Sequence, residues 1–413
     1  MAYKPRYVDS HWSLVVGISS FLAQMILGGY VFTAGIFYTI FKEQFPDKNE
    51  VVVSWLCNLP LTLWFLTGPL GSVLTNKFGC RLCAVIGGLC SSAGLALCFL
   101  STNFYMVFVL YGIVAGIGNG VHYVAFITVI NKYFLKYRLI ANLISSIGVT
   151  TGMAVYAAFI PSLTETFGWR GCLLIIGGIS FNLCALACSL YPTEPKQSSK
   201  RAIELWLLQD TYFMLFAAHC VFCNLSSSII FLHLPALILS FDLSMTVTSL
   251  ALTVCGLANC FGKICHSVLG IFRKPDTCVT YTFSLLVCGT VMILFPLMQH
   301  KIWILFMAAL LGSTYCVTGG YTPEVIMNLV GTENISDGLG FGQVAKATGS
   351  TVAGPLAGLL YQWSSSYKTS FYIGGSVMIS GCMLMIPVIV ILRRRRNNQK
   401  LSVYTEVVLK PET

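Results

Sequence analysis

Twelve apolar runs follow one another along this chain, separated by short polar breaks, and each is long enough to cross a lipid bilayer. They cover about 12–41, 52–74, 82–101, 104–131, 139–161, 171–191, 211–240, 244–271, 277–298, 302–329, 338–361 and 369–392. A hydrocarbon layer offers no water to backbone N–H and C=O groups, so a chain that threads it must do so as helices or as a closed barrel. Runs of roughly 20 residues suit helices, whereas barrel strands need only about 10. The composition agrees: 56% of the 413 residues are hydrophobic and 10% are charged, against about 25% charged in soluble domains. The expectation is an all-α polytopic membrane protein with twelve transmembrane helices. The first run follows a polar start that lacks a small-residue cleavage site, so it reads as a retained helix and not as a signal peptide.

Lysine and arginine set the topology. With all twelve runs spanning, five of the 25 basic residues (Lys42, Lys48, Arg170, Lys301 and Lys368) fall on the side away from the N-terminus. Lys263 and Lys346 fall inside runs, and the other eighteen lie on the N-terminal side. Cytoplasmic loops carry the basic excess, so both termini are expected in the cytoplasm, with the plasma membrane as the location. The net charge of +10 is thereby accounted for by topology and contact with membrane lipids, and calls for no nucleic-acid partner.

The seventeen cysteines lie nearly all within the runs, where cysteine acts as a small hydrophobe. The pairs Cys80/Cys83 and Cys220/Cys223 have CxxC spacing but no second ligand pair nearby, so no metal or other cofactor is expected. The string "GIVAGIGNG" (112–120) lacks the preceding strand that a nucleotide loop requires. No nucleophile–base set is present, and an enzyme is not expected.

The polar segment "YPTEPKQSSKRAIELWLLQD" (191–210) splits the runs six and six. It divides the chain into an N-terminal half (1–191), a cytoplasmic linker (192–210), a C-terminal half (211–392) and a basic tail (393–413). An internal repeat supports the division. Gly152 and Gly177 of the first half recur as Gly349 and Gly374, both displaced by 197 residues. Two parallel six-helix halves are the plan of the major facilitator superfamily, whose substrate site lies between the halves near the midplane. The loop "NKFGCR" (76–81) resembles that superfamily's motif between the second and third helices, keeping Gly79 and Arg81 but carrying Asn76 where the aspartate stands.

Several stretches resemble the monocarboxylate transporters in particular. They are "NKYFLKYRLIANLISSIGVTTG" (131–152), "FGWRGCLLIIGG" (167–178) and "GPLAGLLYQWSSSYKTSFYIGG" (354–375), and the likeness runs along essentially the whole chain. The start of the first run, "VDSHWSL", keeps only Asp9 and Trp12 of the family's pattern. The resemblance implies a lysine in the first helix and an aspartate–arginine pair in the eighth, which handle the substrate carboxylate and the proton. Here the first position is Gly35, the aspartate position is Asn259 and the arginine position is Lys263. Arg138, Asn142 and Gly148 match the fourth-to-fifth-helix pattern as they stand.

Asn259, Lys263 and His266 form one polar stripe at helical spacing on an otherwise apolar run. Such a stripe faces the bundle interior or a water-filled path. Lysine offers a point charge where arginine offers a planar fork, and asparagine cannot carry a proton near neutral pH. Glu324, in the broken run "VTGGYTPEVIMNLVG", is the one carboxylate inside the apolar runs, and Lys263 either contacts substrate or pairs with Glu324. Lys346 reads as a side chain that snorkels to the cytoplasmic interface. Tyr123, Phe216 and Tyr321 are cavity candidates because the helices that carry them line the cleft in this fold. The candidate substrate site is therefore Lys263, Asn259, His266, Glu324, Arg138, Asn142, Gly35, Tyr123 and Tyr321. The function expected is alternating-access transport of monocarboxylates or related small organic solutes, facilitative or atypically coupled. The rival reading is a non-transporting membrane sensor or partner-binding protein that keeps the fold. Members of the family often travel with a single-span immunoglobulin-like partner, and no residue in this chain decides whether this one does.

Overall fold

The computed structural model describes residues 10–134, 138–190, 207, 209–273, 276–331 and 335–394. Twelve helical spans account for them, matching the expected runs. α1 comprises His11–Phe32 and, past a break at Thr33, Ala34–Gln44; α2 comprises Glu50–Leu66 and Gly68–Phe78. α3 is Cys80–Leu100 and α4 is Phe104–Tyr133. The helix Arg138–Cys188 turns sharply at Gly168, giving α5 (138–167) and α6 (169–188). α7 is Thr211–Leu239, α8 Met245–Arg273, α9 Thr277–Leu297 and α10 Lys301–Val330. α11 is Ile335–Ser364 and α12 is Tyr367–Arg394.

Among the described residues, nine helices are long and apolar enough to cross a membrane, one of them the joined α5 and α6, and the bent pair of α2 makes a tenth. α11 is less apolar because it is rich in glycine, alanine and serine and carries Gln343 and Lys346. It crosses between α2 and α7, where small residues let backbones approach. Most of the 192–210 linker and the basic tail beyond Arg394 lie outside the described residues.

Local chemistry starts and stops these helices. Asn49, Asn103, Asp210 and Ser366 each accept a backbone N–H of the first turn of the helix that follows, which satisfies donors orphaned at a helix start. Gly79, Gly168 and Gly331 hold positive φ of 86°, 67° and 80° at the α2–α3, α5–α6 and α10–α11 turns, a conformation glycine adopts without strain.

The sequence repeat has a steric meaning. A β-carbon on Gly152 of α5 would strike the Met25 carbonyl of α1, and one on Gly349 of α11 would strike the Val221 carbonyl of α7. The same helix pair is thus brought to backbone contact in each half. Gly177 and Gly374 repeat the relationship further along: a β-carbon there would lie 2.6 Å from the Ala96 nitrogen and 2.5 Å from Met292 Cε.

The halves meet along three seams, α1 with α7, α2 with α11 and α5 with α8. On the first seam Gly35 lies against the Phe231 carbonyl and 2.7 Å from Pro235 Cδ in the added-carbon sense. On the second, Asn58 donates to the Ser350 carbonyl. On the third, Thr253 donates to the Ala154 carbonyl at 3.2 Å. Because α1 and α7 meet near their C-terminal ends, both halves run the same way, and the described ends of the chain, Ser10 and Arg394, lie at one end of the bundle. At the opposite end Lys42 contacts Glu50, Tyr361 and Tyr367.

Candidate functional site

The cavity lies between the halves, with a volume of about 190 Å³. Its wall draws on α1, α2, α4 and α5 of the first half and α7, α8, α10 and α11 of the second. Gln24, Asn259, Lys263 and Lys346 stand ten to fourteen residues from the terminal end of their helices, so about 15–21 Å deep at 1.5 Å per residue. The polar groups therefore gather at one level, near the middle of the bilayer.

Lys263 is 8% exposed and its ammonium donates to the Ser146 carbonyl of α5 at 2.7 Å. That bond crosses the seam between the halves. Asn259, one turn away, is 5% exposed and its Oδ1 has no hydrogen-bond partner. Lys346 also lines the cavity, with its ammonium 6.0 Å from the Phe65 ring centre. It does not snorkel away, because α11 is pressed between α2 and α7 and presents this face to the cleft. Among the described residues, no aspartate or glutamate lines the cavity.

Aromatic rings form a continuous band across the same wall. Tyr123 of α4 packs on Trp64 of α2 at 5.1 Å, and Trp64 on Phe32 of α1 at 6.3 Å. Phe32 meets Phe231 of α7 at 5.1 Å, and Phe231 meets Tyr315 of α10 at 5.5 Å. The Phe32–Phe231 contact joins the halves, so ring geometry as well as charge depends on how the halves sit.

Of the nine residues singled out from sequence, Lys263, Asn259 and Tyr123 line the cavity. The others are placed elsewhere. His266 and Tyr321 meet each other, with the tyrosine hydroxyl 3.5 Å from His266 Nδ1. Glu324 accepts a hydrogen bond from Thr277 at 2.8 Å, which holds its carboxylate by the start of α9 near the terminal end. Asn142 donates to Asn131 Oδ1 at 3.0 Å and ties α5 to the end of α4. Gly35 is enclosed by the α7 backbone, so no lysine side chain fits at that position in this arrangement. Arg138 starts α5, and its side chain lies outside the described residues. Phe216 is fully buried in the core of the second half and packs on His219. Sequence reasoning missed Gln24, Trp64, Gln343 and the orientation of Lys346. Gln24 and Gln343 had a legible signal, each being the one amide inside its apolar run; Trp64 had none, since its neighbours come from distant helices.

A two-half helical bundle with a polar cavity at its seam is the architecture of a secondary transporter. The Major Facilitator Superfamily profile matches residues 16–354, and the chain belongs to that superfamily. Within it, the chain is similar to "Monocarboxylate transporter 4" of Gallus gallus, 26% identical over 398 residues that cover 91% of this chain and 82% of the relative. It is also similar to "Monocarboxylate transporter 13" of Bos taurus, at 24% over 94% of this chain and 91% of the relative. A third relative, "Monocarboxylate transporter 6" of Mus musculus, is 24% identical over 93% of this chain and 88% of its own length. The crystal structure of a D-xylose-proton symporter superposes with a TM-score of 0.73, covering 90% of this chain and 97% of that one at 14% identity. The chain is a transporter-type membrane protein of this superfamily related to the monocarboxylate transporters, and not an enzyme.

Proposed function

We propose that this chain carries monocarboxylates or related small organic anions across the plasma membrane by alternating access, with both termini in the cytoplasm. The observation that carries the reading is the charge of the cavity: two lysines and no carboxylate among the described lining residues. A cation at membrane depth is costly, and an anionic substrate lowers that cost. Lys263 is the chief contact. Its ammonium is held by the Ser146 carbonyl of the other half. A substrate carboxylate that takes over this ammonium weakens a bond between α5 and α8, and so couples binding to the relative movement of the halves.

Proton coupling of the usual kind is not supported. Asn259 is an amide, which does not titrate near neutral pH, and Glu324 is bonded to Thr277 away from the cavity. The reading is therefore a facilitative or atypically coupled carrier. The test is uptake of a labelled monocarboxylate panel, lactate and pyruvate included, into proteoliposomes holding the purified full chain. Saturable uptake that is lost in Lys263→Met is expected. Equal uptake by Lys263→Met would sink the assignment of Lys263, and no uptake of any member would sink the transport of monocarboxylates.

A further inference from the structure

Both amide atoms of Gln24 are buried in the cavity wall without a hydrogen-bond partner, and the residue is 1% exposed. Leaving a buried amide unmet costs free energy for each donor and acceptor, so a group placed in this way points to a ligand that meets it. Either orientation of the amide presents one donor and one acceptor. Gln24 belongs to the first half, and the lysines belong to the second. α5 lies between them: Lys263 donates to its Ser146 carbonyl, and a β-carbon on Gly148 would lie 3.2 Å from the Gln24 β-carbon. The cavity thus has a cationic pole on α8 and α11 and a neutral hydrogen-bonding pole on α1.

Size and lining describe what spans the two poles. A cavity of about 150 Å³ accepts a benzene ring, so the 190 Å³ here holds a ring with small head groups. The same cavity wall carries the aromatic band through Trp64 and Phe32. Trp64 Nε1 is a further buried donor without a partner, and Asn259 Oδ1 a further acceptor. We propose that the cavity is built for a monocarboxylate with an aromatic body and a neutral hydroxyl or amide group at the end remote from the carboxylate, and that Gln24 reads that remote group. The inference rests on the carboxylate reading above and adds the body and the second pole.

The test uses the full chain in proteoliposomes and three probes: lactate, phenylacetate and 4-hydroxyphenylacetate. Inhibition constants are measured for each against a labelled carboxylate that the protein carries. 4-Hydroxyphenylacetate is expected to bind about tenfold more tightly than phenylacetate, the size that follows when a buried donor–acceptor pair is met instead of left unmet. Lactate, which lacks the aromatic body, is expected to be the weakest. In Gln24→Leu the ratio of the two aromatic probes should fall to about one. Gln24→Asn, which keeps the amide on a shorter stem, guards against a folding failure and should give an intermediate ratio. Lys263-dependent uptake with equal affinity for the two aromatic probes would overturn this proposal alone. A preference that survives Gln24→Leu in folded protein would overturn the role of Gln24. No carboxylate uptake at all would overturn the underlying function and this inference with it.

Discussion

Lys42 of the first half and Tyr367 of the second are joined by a hydrogen bond of 2.8 Å at the end of the bundle opposite the chain termini. The same ammonium is 2.6 Å from Glu50 and 4.2 Å from the Tyr361 ring centre. Tyr38 donates to Glu50 at 2.5 Å, and its ring packs on His233 at 5.1 Å. The bonds link α1 and α2 to α7, α11 and α12, so they close this end across the seam. Alternating access requires that they break and re-form.

Tyr367→Phe removes the acceptor from Lys42 while keeping the ring. A partly exposed bond of this kind is worth about 0.5–1 kcal/mol, so opening at this end should become roughly two- to fivefold more frequent. Hydrogen exchange followed by mass spectrometry should show faster exchange in segments 38–50 and 361–370. Unchanged exchange in both would mean that the contact is incidental to closure.

The closure should not respond to physiological pH. Burial works against the Lys42 charge, but the Glu50 carboxylate and the Tyr367 hydroxyl outweigh it and hold the ammonium above the ordinary lysine value. A raised lysine contributes stability that is fully present below the unfolded value of about 10.4, and loses it only as pH rises through the folded value. Between about pH 6 and 9 the lysine contribution is therefore constant. Exchange rates of segments 38–50, corrected for intrinsic chemistry, should be flat over that range, and a rise by pH 9 would contradict the assignment.

Uptake of an anion that stays ionised should also vary little between about pH 6 and 8, because no carboxylate or histidine lines the described cavity. A steep increase at acid pH would move attention to Glu324 or to the His266–Tyr321 pair.

The two lysines should separate in their effects. Lys263→Arg keeps the charge and should retain part of the uptake, while Lys346→Met should raise the apparent KM more than it lowers kcat, because Lys263 donates a hydrogen bond across the seam whereas Lys346 faces the Phe65 ring at 6.0 Å. Equal loss of kcat in both variants would contradict a coupling role particular to Lys263.

The repeated glycines should fail alike. Gly152→Val and Gly349→Val each push a branched side chain into the backbone of α1 or α7, at about 1–3 kcal/mol or more. Thermal unfolding in detergent should fall by a similar amount for both. A large loss at one and none at the other would argue against equivalent packing in the two halves.

How far the sequence reached can be traced residue by residue. Apolar run length dictated helices, because a backbone in lipid must satisfy itself, and the twelve runs recur as α1 to α12. The 197-residue repeat foretold the paired contacts of Gly152 and Gly349, since a glycine that permits backbone contact is needed wherever that contact is copied. Helical spacing put Asn259 and Lys263 on one face, and the structure places both in the cavity. The same spacing carried His266 onto the stripe but could not say where the cavity ends along α8, so His266 meets Tyr321 instead. What only the tertiary structure decided was partnership between distant helices. Glu324 goes to Thr277, Lys346 faces the cleft, Gly35 is sealed by α7, and Gln24 and Trp64 join a wall assembled from both halves. A helix's own sequence fixes which residues share a face. Which face meets substrate depends on the rotation and neighbours that packing imposes, and those are properties of the whole bundle.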